Sequence, residues 1–231
     1  MGFSRGPSIV TDGLVLALDA ANTKSYPGSG TSLTDLSISG NTGTLEGGTT
    51  FSTGPSRFDT NATNQTTNNS LSLGTNIVFA DTDEYTFSFM VKFRTSIQTT
   101  FQSLAGRMST NPWLSLYPSS TSFDMRYRQS GGTYHISSVV GYNIQANWAN
   151  VVLTVDNSRT LSLYNNGEFV ETFGSPTSTT FTINRLAGGY SSGGNYYALQ
   201  GSFGPCYIYS KVLTAAEVLQ NYNATKSRFG L

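Results

Sequence analysis

Residues 85–93 alternate between two kinds of side chain more regularly than any other part of the chain. Tyr85, Phe87, Phe89, Val91 and Phe93 occupy every second position, and smaller or more polar residues separate them. Successive side chains of a β-strand point to opposite faces of the sheet. The pattern therefore predicts a strand with one strongly apolar face, which must be buried against other elements.

The rest of the sequence is typical of a protein made of many short strands. Only 11% of its 231 residues are charged, 37% are hydrophobic, and Gly, Ser, Thr and Asn separate short apolar runs. Asn166-Gly167 lies between two such runs and predicts a tight hairpin, because both residues tolerate the positive φ of a type I′ turn. We expect about a dozen strands in one domain, since all-β domains reach this length without splitting.

A short helix is predicted near the C-terminus. Thr214 can cap its first turn, and Glu217, three residues later, can reach back to the cap. Val218, Leu219 and Tyr222 then supply one apolar stripe. This helix follows a strand-like run at residues 206–209.

Four segments carry a resemblance to a known family. Residues 35–45 contain Asp-x-Ser and Gly-Asn followed by Gly-Thr-Leu, residues 148–156 begin with Trp and end with Thr-x-Asp, residues 161–170 contain Leu-Tyr and Asn-Gly, and residues 206–217 form the closing strand and helix. In this order they resemble the concanavalin A-like jelly rolls of the laminin G-like group. The resemblance implies an all-β, two-sheet antiparallel β-sandwich with a short C-terminal helix. We expect an N-terminal arm at residues 1–12 and the jelly-roll domain at residues 13–231.

Two sets of residues complete this fold prediction. We expect seven side chains to pack between the sheets: Leu16, Phe87, Phe89, Val91, Val152, Leu163 and Ile208. Cys206 lies in a predicted strand and is expected to be a small buried side chain instead of a nucleophile.

Charge and hydropathy argue against two classes of partner. The 13 basic and 13 acidic residues are scattered and sum to a net charge of zero. A nucleic-acid site would need a continuous basic stripe, which the sequence lacks. No apolar run reaches membrane-spanning length, and the first thirteen residues lack the apolar run of a secretory signal. We therefore expect neither nucleic acid nor membrane as a partner, and synthesis in a cytoplasm-like compartment.

Catalysis is not expected. Glycosidases of the jelly-roll type place two carboxylates across a cleft, and related enzymes carry them as Glu-x-Asp-x-x-Glu on one strand. None of the five glutamates forms that triplet, and Glu168 and Glu171 would point to opposite faces of a strand. The single histidine, His135, and Cys206 lie far apart in sequence and are expected to be structural. We predict that the protein is not an enzyme and has no resident cofactor.

Calcium is the one metal that the resemblance suggests as a ligand. The best acidic cluster is Asp81, Asp83 and Glu84, whose carboxylates could supply the oxygen ligands that calcium prefers. The alternative, which we favour, is a solvated turn stabilised by its aspartates.

Glycan binding is a second property that the family implies. Exposed aromatic rings could form a stacking platform for sugars, and the candidates are Trp113, Tyr142, Tyr190 and Tyr196. The alternative is that these rings only pack, since the segment around Tyr190 resembles an ordinary family connection. Pro205 replaces an aspartate that is frequent in the final strand of the family.

Residues 11–31 and 219–231 resemble one branch in particular, the laminin G-like structural proteins of tailed bacteriophages, especially those of marine cyanobacteria. This resemblance implies a non-enzymatic virion component, made in the host cytoplasm and present as a capsid decoration or a fibre or appendage subunit. Its partners would be other virion proteins of the capsid or tail, and copies of itself. Phe3, Ile9 and Val10 of the arm have no predicted place in the core and are the expected interface. The rival hypothesis is a lectin-like module that binds a host glycan.

Overall fold

The computed structural model describes residues 7–62, 68–94, 101–107, 110–128, 133–177, 180–189 and 197–231. These residues form two antiparallel sheets that face each other, with one short helix near the C-terminus. The predicted β-sandwich is therefore confirmed. No helix in these ranges has the length and apolar character needed to cross a bilayer.

The described strands divide equally between the sheets. In spatial order, sheet A contains β14 (Glu168–Phe173), β13 (Leu161–Asn165), β12 (Ala149–Val155), β7 (Tyr85–Phe93), β16 (Gly201–Tyr209), β5 (Arg57–Asp59) and β4 (Thr50–Ser52), and β1 (Leu14–Leu18) also pairs with β16. Sheet B contains β11 (Tyr134–Val140), β10 (Ser122–Arg128), β9 (Thr110–Pro118), β8 (Gln102–Arg107), β15 (Phe181–Leu186), β6 (Ser70–Phe79), β3 (Gly43–Glu46) and β2 (Ser32–Leu33).

The main core lies between the two sheets, where apolar residues from the inner faces meet. Its rings include Phe87 and Phe181, whose centroids are 5.3 Å apart across the gap between β7 and β15. Six of the seven predicted core residues belong to this cluster: Leu16, Phe87, Phe89, Val91, Leu163 and Ile208.

The prediction for Val152 is wrong. Its neighbours Val151 and Leu153 face the gap between the sheets, so the alternation of β12 turns Val152 to the outer face of sheet A. There it packs in a second apolar cluster with Leu213 and Val218, beneath the C-terminal helix. Sheet A is thus covered on both faces, which is why every residue of β12 is buried.

The helix that covers sheet A is α1 (Ala215–Thr225), and its predicted cap is confirmed. The Glu217 backbone N–H donates to Thr214 Oγ1 at 3.3 Å, and the Thr214 N–H donates to Glu217 Oε2 at 2.8 Å. A short 3₁₀ helix, Lys226–Phe229, follows directly. Phe229 packs on Trp148 with ring centroids 4.7 Å apart, so the helical end remains pressed on the sheet.

The N-terminal segment also packs on this outer face, which corrects the prediction that Val10 has no place in a core. Val10 is 8% exposed and belongs to the second cluster, and Ile9 packs partly against it. The Val10 N–H donates to Asn221 Oδ1 at 2.8 Å, and the Tyr209 hydroxyl donates to the Val10 carbonyl at 3.1 Å. Val10 is therefore engaged within its own chain, whereas Phe3 lies outside the described residues.

The Asp-x-Ser and Gly-Asn motif fixes the loop between β2 and β3. Asp35 is buried, and its Oδ1 accepts hydrogen bonds from the backbone N–H groups of Ala17 at 2.8 Å and Ser37 at 2.9 Å. Its Oδ2 accepts from the Ser37 hydroxyl at 2.7 Å and the Asn41 N–H at 2.9 Å. One carboxylate thus joins the loop to strand β1, where an unpaired buried charge would be costly.

The backbone explains two features of the sequence, the Asn166-Gly167 pair and Pro205. Asn166 and Gly167 have φ values of 53° and 82°, which confirms the predicted hairpin turn between β13 and β14. Pro205 lies within the central strand β16 where a proline cannot donate to a ladder. The register of β16 against β7 shifts between Phe203 and Cys206, and this irregularity accommodates the proline.

Truncation of Phe89 to alanine should destabilise the domain strongly. Phe89 is 3% exposed in the main core, and removing a buried phenylalanine costs about 3 to 5 kcal/mol. Ile38→Ala is the matched control, because Ile38 is 103% exposed and its loss should change the free energy of unfolding by about 0.5 kcal/mol or less. Chemical denaturation measures both, and equal midpoints for Phe89→Ala and wild type would contradict this core assignment.

Candidate functional site

The outer face of sheet B carries an unusual row of aromatic and arginine side chains. The inner side chains of β9 and β10, such as Leu114 and Tyr127, belong to the main core, so the alternate positions point outward. In register across the sheet, Trp113 of β9 lies opposite Arg128 of β10, and Arg128 lies opposite Tyr134 of β11. The strand pairing therefore brings together residues that are distant in sequence.

A second row lies beside the first. Ser103 of β8 pairs with Ser115 of β9, Ser115 with Arg126 of β10, and Arg126 with Ile136 of β11. We call the combined surface the aromatic–arginine face, and it consists of Phe101, Trp113, Tyr117, Arg126, Arg128, Tyr134 and Tyr197.

The rings of this face stack in pairs. Tyr197 stacks on Trp113 with centroids 5.4 Å apart and planes 27° apart, and Phe101 stacks on Tyr134 at 5.3 Å and 3°. Phe101 also meets Trp113 edge-on at 5.7 Å, which joins the two pairs. Aromatic contacts of these kinds are favourable beyond the area they bury, so the rings hold one another in place.

The two arginines lie over the rings. The guanidinium carbon of Arg126 is 4.3 Å from the Tyr117 ring centroid and 5.0 Å from that of Phe101. The guanidinium carbon of Arg128 is 5.2 Å from the Tyr134 centroid. A cation over an aromatic face is attracted by its quadrupole, and Arg126 is held further by a 2.7 Å ion pair with Asp124.

The face is partly open and carries unused polar groups. Trp113 is buried, whereas Phe101, Tyr117, Tyr134 and Tyr197 are each partly exposed. The Ser115 hydroxyl and the Nε atoms of both arginines are buried and have no hydrogen-bond partner in the described part of the chain. Buried polar groups without a partner are costly, and a ligand could supply partners to these three atoms only after the arginine side chains move.

Within this face, the surroundings of Tyr134 shift the pKa of its hydroxyl upward. Burial is the main cause that raises the pKa of Tyr134, Tyr197 raises it further, and Arg128 and Arg126 partly oppose the shift. The Tyr134 hydroxyl therefore keeps its proton near neutral pH and can both donate and accept a hydrogen bond.

Of the four aromatic residues predicted from the sequence, the structure describes Trp113 and Tyr142, and it places them apart. Trp113 lies in the aromatic–arginine face, but Tyr142 is elsewhere: its hydroxyl donates to the Trp148 carbonyl and accepts a 3.0 Å hydrogen bond from Asn166 Nδ2. Tyr142 thus joins the loop after β11 to the β13–β14 hairpin, which is a packing role. Tyr190 and Tyr196 lie outside the described residues.

The acidic cluster before β7 forms a turn. Asp83 Oδ2 accepts a hydrogen bond from the Ala80 N–H at 2.7 Å, and the Asp83 N–H donates to the Ala80 carbonyl at 3.1 Å. Within the ranges that the structure describes, no three side chains of His, Cys, Asp or Glu come together to hold a metal ion. The hydrogen bonds of Asp83 support the predicted turn, and the absence of a calcium site at Asp81, Asp83 and Glu84 stays a prediction.

The residues considered for catalysis are separated. Cys206 lies on β16 of sheet A and is fully buried, and burial raises the pKa of its thiol far above the usual range. His135 lies on β11 of sheet B, where burial lowers the pKa of its imidazole. Glu171 accepts a 2.6 Å hydrogen bond from the Ser137 hydroxyl, which links the neighbouring edges of the two sheets.

Comparison with known proteins gives a consistent result for the fold. The family model described as the Concanavalin A-like lectin/glucanases superfamily matches residues 63–219. No curated protein matches the chain significantly in sequence.

Several solved structures share the fold. The binding domain of Paraclostridial Mosquitocidal Protein 1 is 17% identical, with a TM-score of 0.62, and the match covers 92% of this chain and 52% of that one. The ligand binding domain of Botulinum neurotoxin serotype D, solved in complex with N-acetylneuraminic acid, is 13% identical with a TM-score of 0.66, and the match covers 94% and 52%. A structure of botulinum neurotoxin type C, whose cell entry depends on interaction with two ganglioside molecules, is 15% identical with a TM-score of 0.63, and the match covers 93% and 52%. The chain spans about half the length of these structures, and at such identities the likeness shows the fold alone.

Calcium should have no effect on stability. If the Asp83 carboxylate serves its own turn, neither added calcium nor EDTA should change the melting temperature, because a ligand stabilises only the state that it binds. Thermal melts with calcium and with EDTA measure this. A rise with calcium that disappears in Asp81→Asn and Glu84→Gln would contradict it.

Proposed function

Because the chain belongs to the concanavalin A-like lectin/glucanases superfamily, we propose that it is a non-enzymatic carbohydrate-binding module that uses the aromatic–arginine face of sheet B. The observation that carries the proposal is the combination of stacked, partly exposed rings with the two partly exposed arginine side chains that lie over them. Sugars present C–H surfaces that pack on rings and hydroxyls that need directed hydrogen bonds, and this face offers both.

The exposed rings of the face suit recognition of a sugar because they are already held in place. The rings hold one another through Phe101, and Arg126 is fixed by Asp124. Groups already held in their binding positions lose little freedom when a ligand arrives, which favours affinity. The partly exposed Tyr134 adds a hydroxyl that can both donate and accept.

The absence of catalytic activity is part of the proposal, since the superfamily also includes glucanases. The chain lacks the Glu-x-Asp-x-x-Glu triplet, and Glu171 is engaged with Ser137. Two of the solved structures of similar fold are described as binding domains, and one of them was solved with N-acetylneuraminic acid. These descriptions support binding in preference to hydrolysis.

A binding experiment with neutral oligosaccharides tests this site. We expect at least one member of a panel derived from laminarin, cellulose and agarose to bind, and Tyr134→Ala to weaken that binding about tenfold, because an aromatic contact contributes about 1 to 1.5 kcal/mol. Trp113 reports the event: in a Trp148→Phe variant it is the only tryptophan, and its fluorescence should change on binding.

The control for this experiment is Phe169→Ala, an equal truncation of an exposed ring on β14 of sheet A, which should leave affinity unchanged. Equal weakening by both variants, or no binding across the panel, would overturn the site. The same mixtures should show no release of reducing ends, and release abolished by Glu171→Gln would overturn the non-enzymatic part.

The resemblance to structural proteins of tailed bacteriophages supports a second proposal, a virion protein of the capsid or of a fibre or appendage, with other virion proteins and copies of itself as partners. The observation that favours it is an edge strand with exposed aliphatic side chains. On β11, Ile136 is 47% exposed and Val140 is 83% exposed, and β11 is the edge of sheet B. An edge strand without charged side chains can pair with a neighbouring protein, and exposed apolar side chains favour contact with one.

The two proposals concern adjacent surfaces, because Ile136 lies opposite Arg126 on the outer face of sheet B. The virion proposal predicts that Ile136→Lys with Val140→Lys folds normally but fails to enter particles, since buried charge disrupts an apolar contact. Particle composition and an intact-particle reconstruction measure this, with Ile38→Lys as the control. Normal incorporation of the double variant would rule out β11 as the contact.

A deletion of residues 2–6 tests the remainder of the arm, because it removes Phe3 and leaves Val10 in place.

A further inference from the structure

A cleft of about 690 Å³ lies on the outer face of sheet A, the sheet opposite the aromatic–arginine face. Three basic side chains line it, namely Arg57, Lys92 and Arg94, and none of its lining residues is acidic. The chain as a whole has no net charge, so this local excess of positive charge comes from the arrangement of the strands.

The cleft floor is formed by the central strands of sheet A. Lys92 on β7 lies directly opposite Ser202 on β16, and Gly201, beside Ser202, brings the two strands close together. A Cβ at Gly201 would lie 2.2 Å from the Lys92 carbonyl oxygen, so only glycine fits at this position. Trp148 completes the floor and is fixed by its contact with Phe229.

The three cations differ in how far they are already neutralised. Arg57 pairs with Asp59 at 3.0 Å, so its charge is largely balanced. Arg94 donates from Nη2 to the neutral side chain of Asn61 at 2.9 Å, which positions its guanidinium without cancelling the charge. Lys92 forms no ion pair with any described residue. Among the described residues, no carboxylate therefore neutralises Lys92 or Arg94.

Asn61, which accepts the hydrogen bond from Arg94, is itself held in place. Asn61 donates from Nδ2 to the Gly48 carbonyl at 2.9 Å and to Thr50 Oγ1 at 2.8 Å, so the amide that holds the guanidinium cannot turn freely. On the other wall, the backbone N–H groups of Gln145 and Ala146 donate to Asn143 Oδ1 at 3.0 and 3.1 Å. The cleft is therefore held in shape from both sides.

From this geometry we infer that the cleft is a second binding site, for a carboxylate- or sulfate-bearing saccharide. Lys92 and Arg94 pair with the anionic group, since hydrogen bonds between ionised partners are about twice as strong as neutral ones. Gln145 offers an amide to sugar hydroxyls, Ser202 offers a hydroxyl oxygen that can accept while its own proton is donated to Asp59, and Trp148 offers an aromatic surface. The volume is in the range of small-ligand sites, about 300 to 1,000 Å³.

The position of the cleft favours a saccharide over an acidic peptide. Extended peptides gain affinity by pairing their backbone with the free edge of a sheet. Lys92 and Ser202 lie on β7 and β16, which are interior strands with partners on both sides. The cleft consequently presents side chains, and not backbone groups, to its ligand.

Titration calorimetry with oligogalacturonate, a carboxylated saccharide, tests the inference. We expect one site per chain on the wild-type protein and at least a tenfold loss of affinity in the double variant Lys92→Gln with Arg94→Gln, since charge-assisted hydrogen bonds are lost. The control Lys24→Gln with Lys226→Gln makes the same change in net charge away from the cleft and should bind as the wild type does. Sulfated carrageenan oligosaccharides in a second arm show which anionic group binds more tightly.

The outcomes separate this site from the aromatic–arginine face. In a Trp113→Phe variant, Trp148 is the only tryptophan, and its fluorescence should respond to oligogalacturonate and not to neutral oligosaccharides. Tyr134→Ala should leave the binding of oligogalacturonate unchanged. Unaltered binding in the double variant, equal loss in the control, or tighter binding of a poly-glutamate peptide than of either saccharide would each overturn the inference.

Discussion

The double covering of sheet A is the constraint on which the rest of the structure depends. Its inner face meets sheet B, and α1 with the segment that contains Val10 covers its outer face beside the basic cleft. Strands β7, β12 and β16 are therefore buried almost throughout, and the sheet acts as the rigid centre of the molecule. Sheet B is covered on one face only, and this difference leaves its outer surface free for the aromatic–arginine face.

Features set by neighbouring residues were predictable from the sequence. The turn at Asn166-Gly167 requires two positive φ values, and the cap at Thr214 requires a glutamate three residues later, so each signal is complete within a few positions. The inner face of β7 was equally clear, because its alternation is strict. The laminin G-like motifs added the order in which such elements occur.

Features set by pairing between distant strands were not predictable in the same way. The side of Val152 is indicated by Asn150 and Thr154, which share its face of β12 and leave the wholly apolar face to point inward. The sequence does not state that a helix buries this more polar face as well. Trp113 was identified, but its partners Arg126, Arg128 and Tyr134 belong to strands whose register the sequence does not state. The period-two spacing of the two arginines was the available signal, since it placed both on one face of β10. The basic cleft depends on three strands and two loops, and its residues are spread over more than a hundred positions.

The hydrogen bonds that join Val10, Tyr209 and Asn221 also determine how the molecule can be oriented. They hold the beginning and the end of the described chain together on the outer side of sheet A. Anything that tethered the protein through either end would therefore attach on that side. The aromatic–arginine face would then point away from the attachment, toward the surroundings, without any need for a hinge to turn it outward.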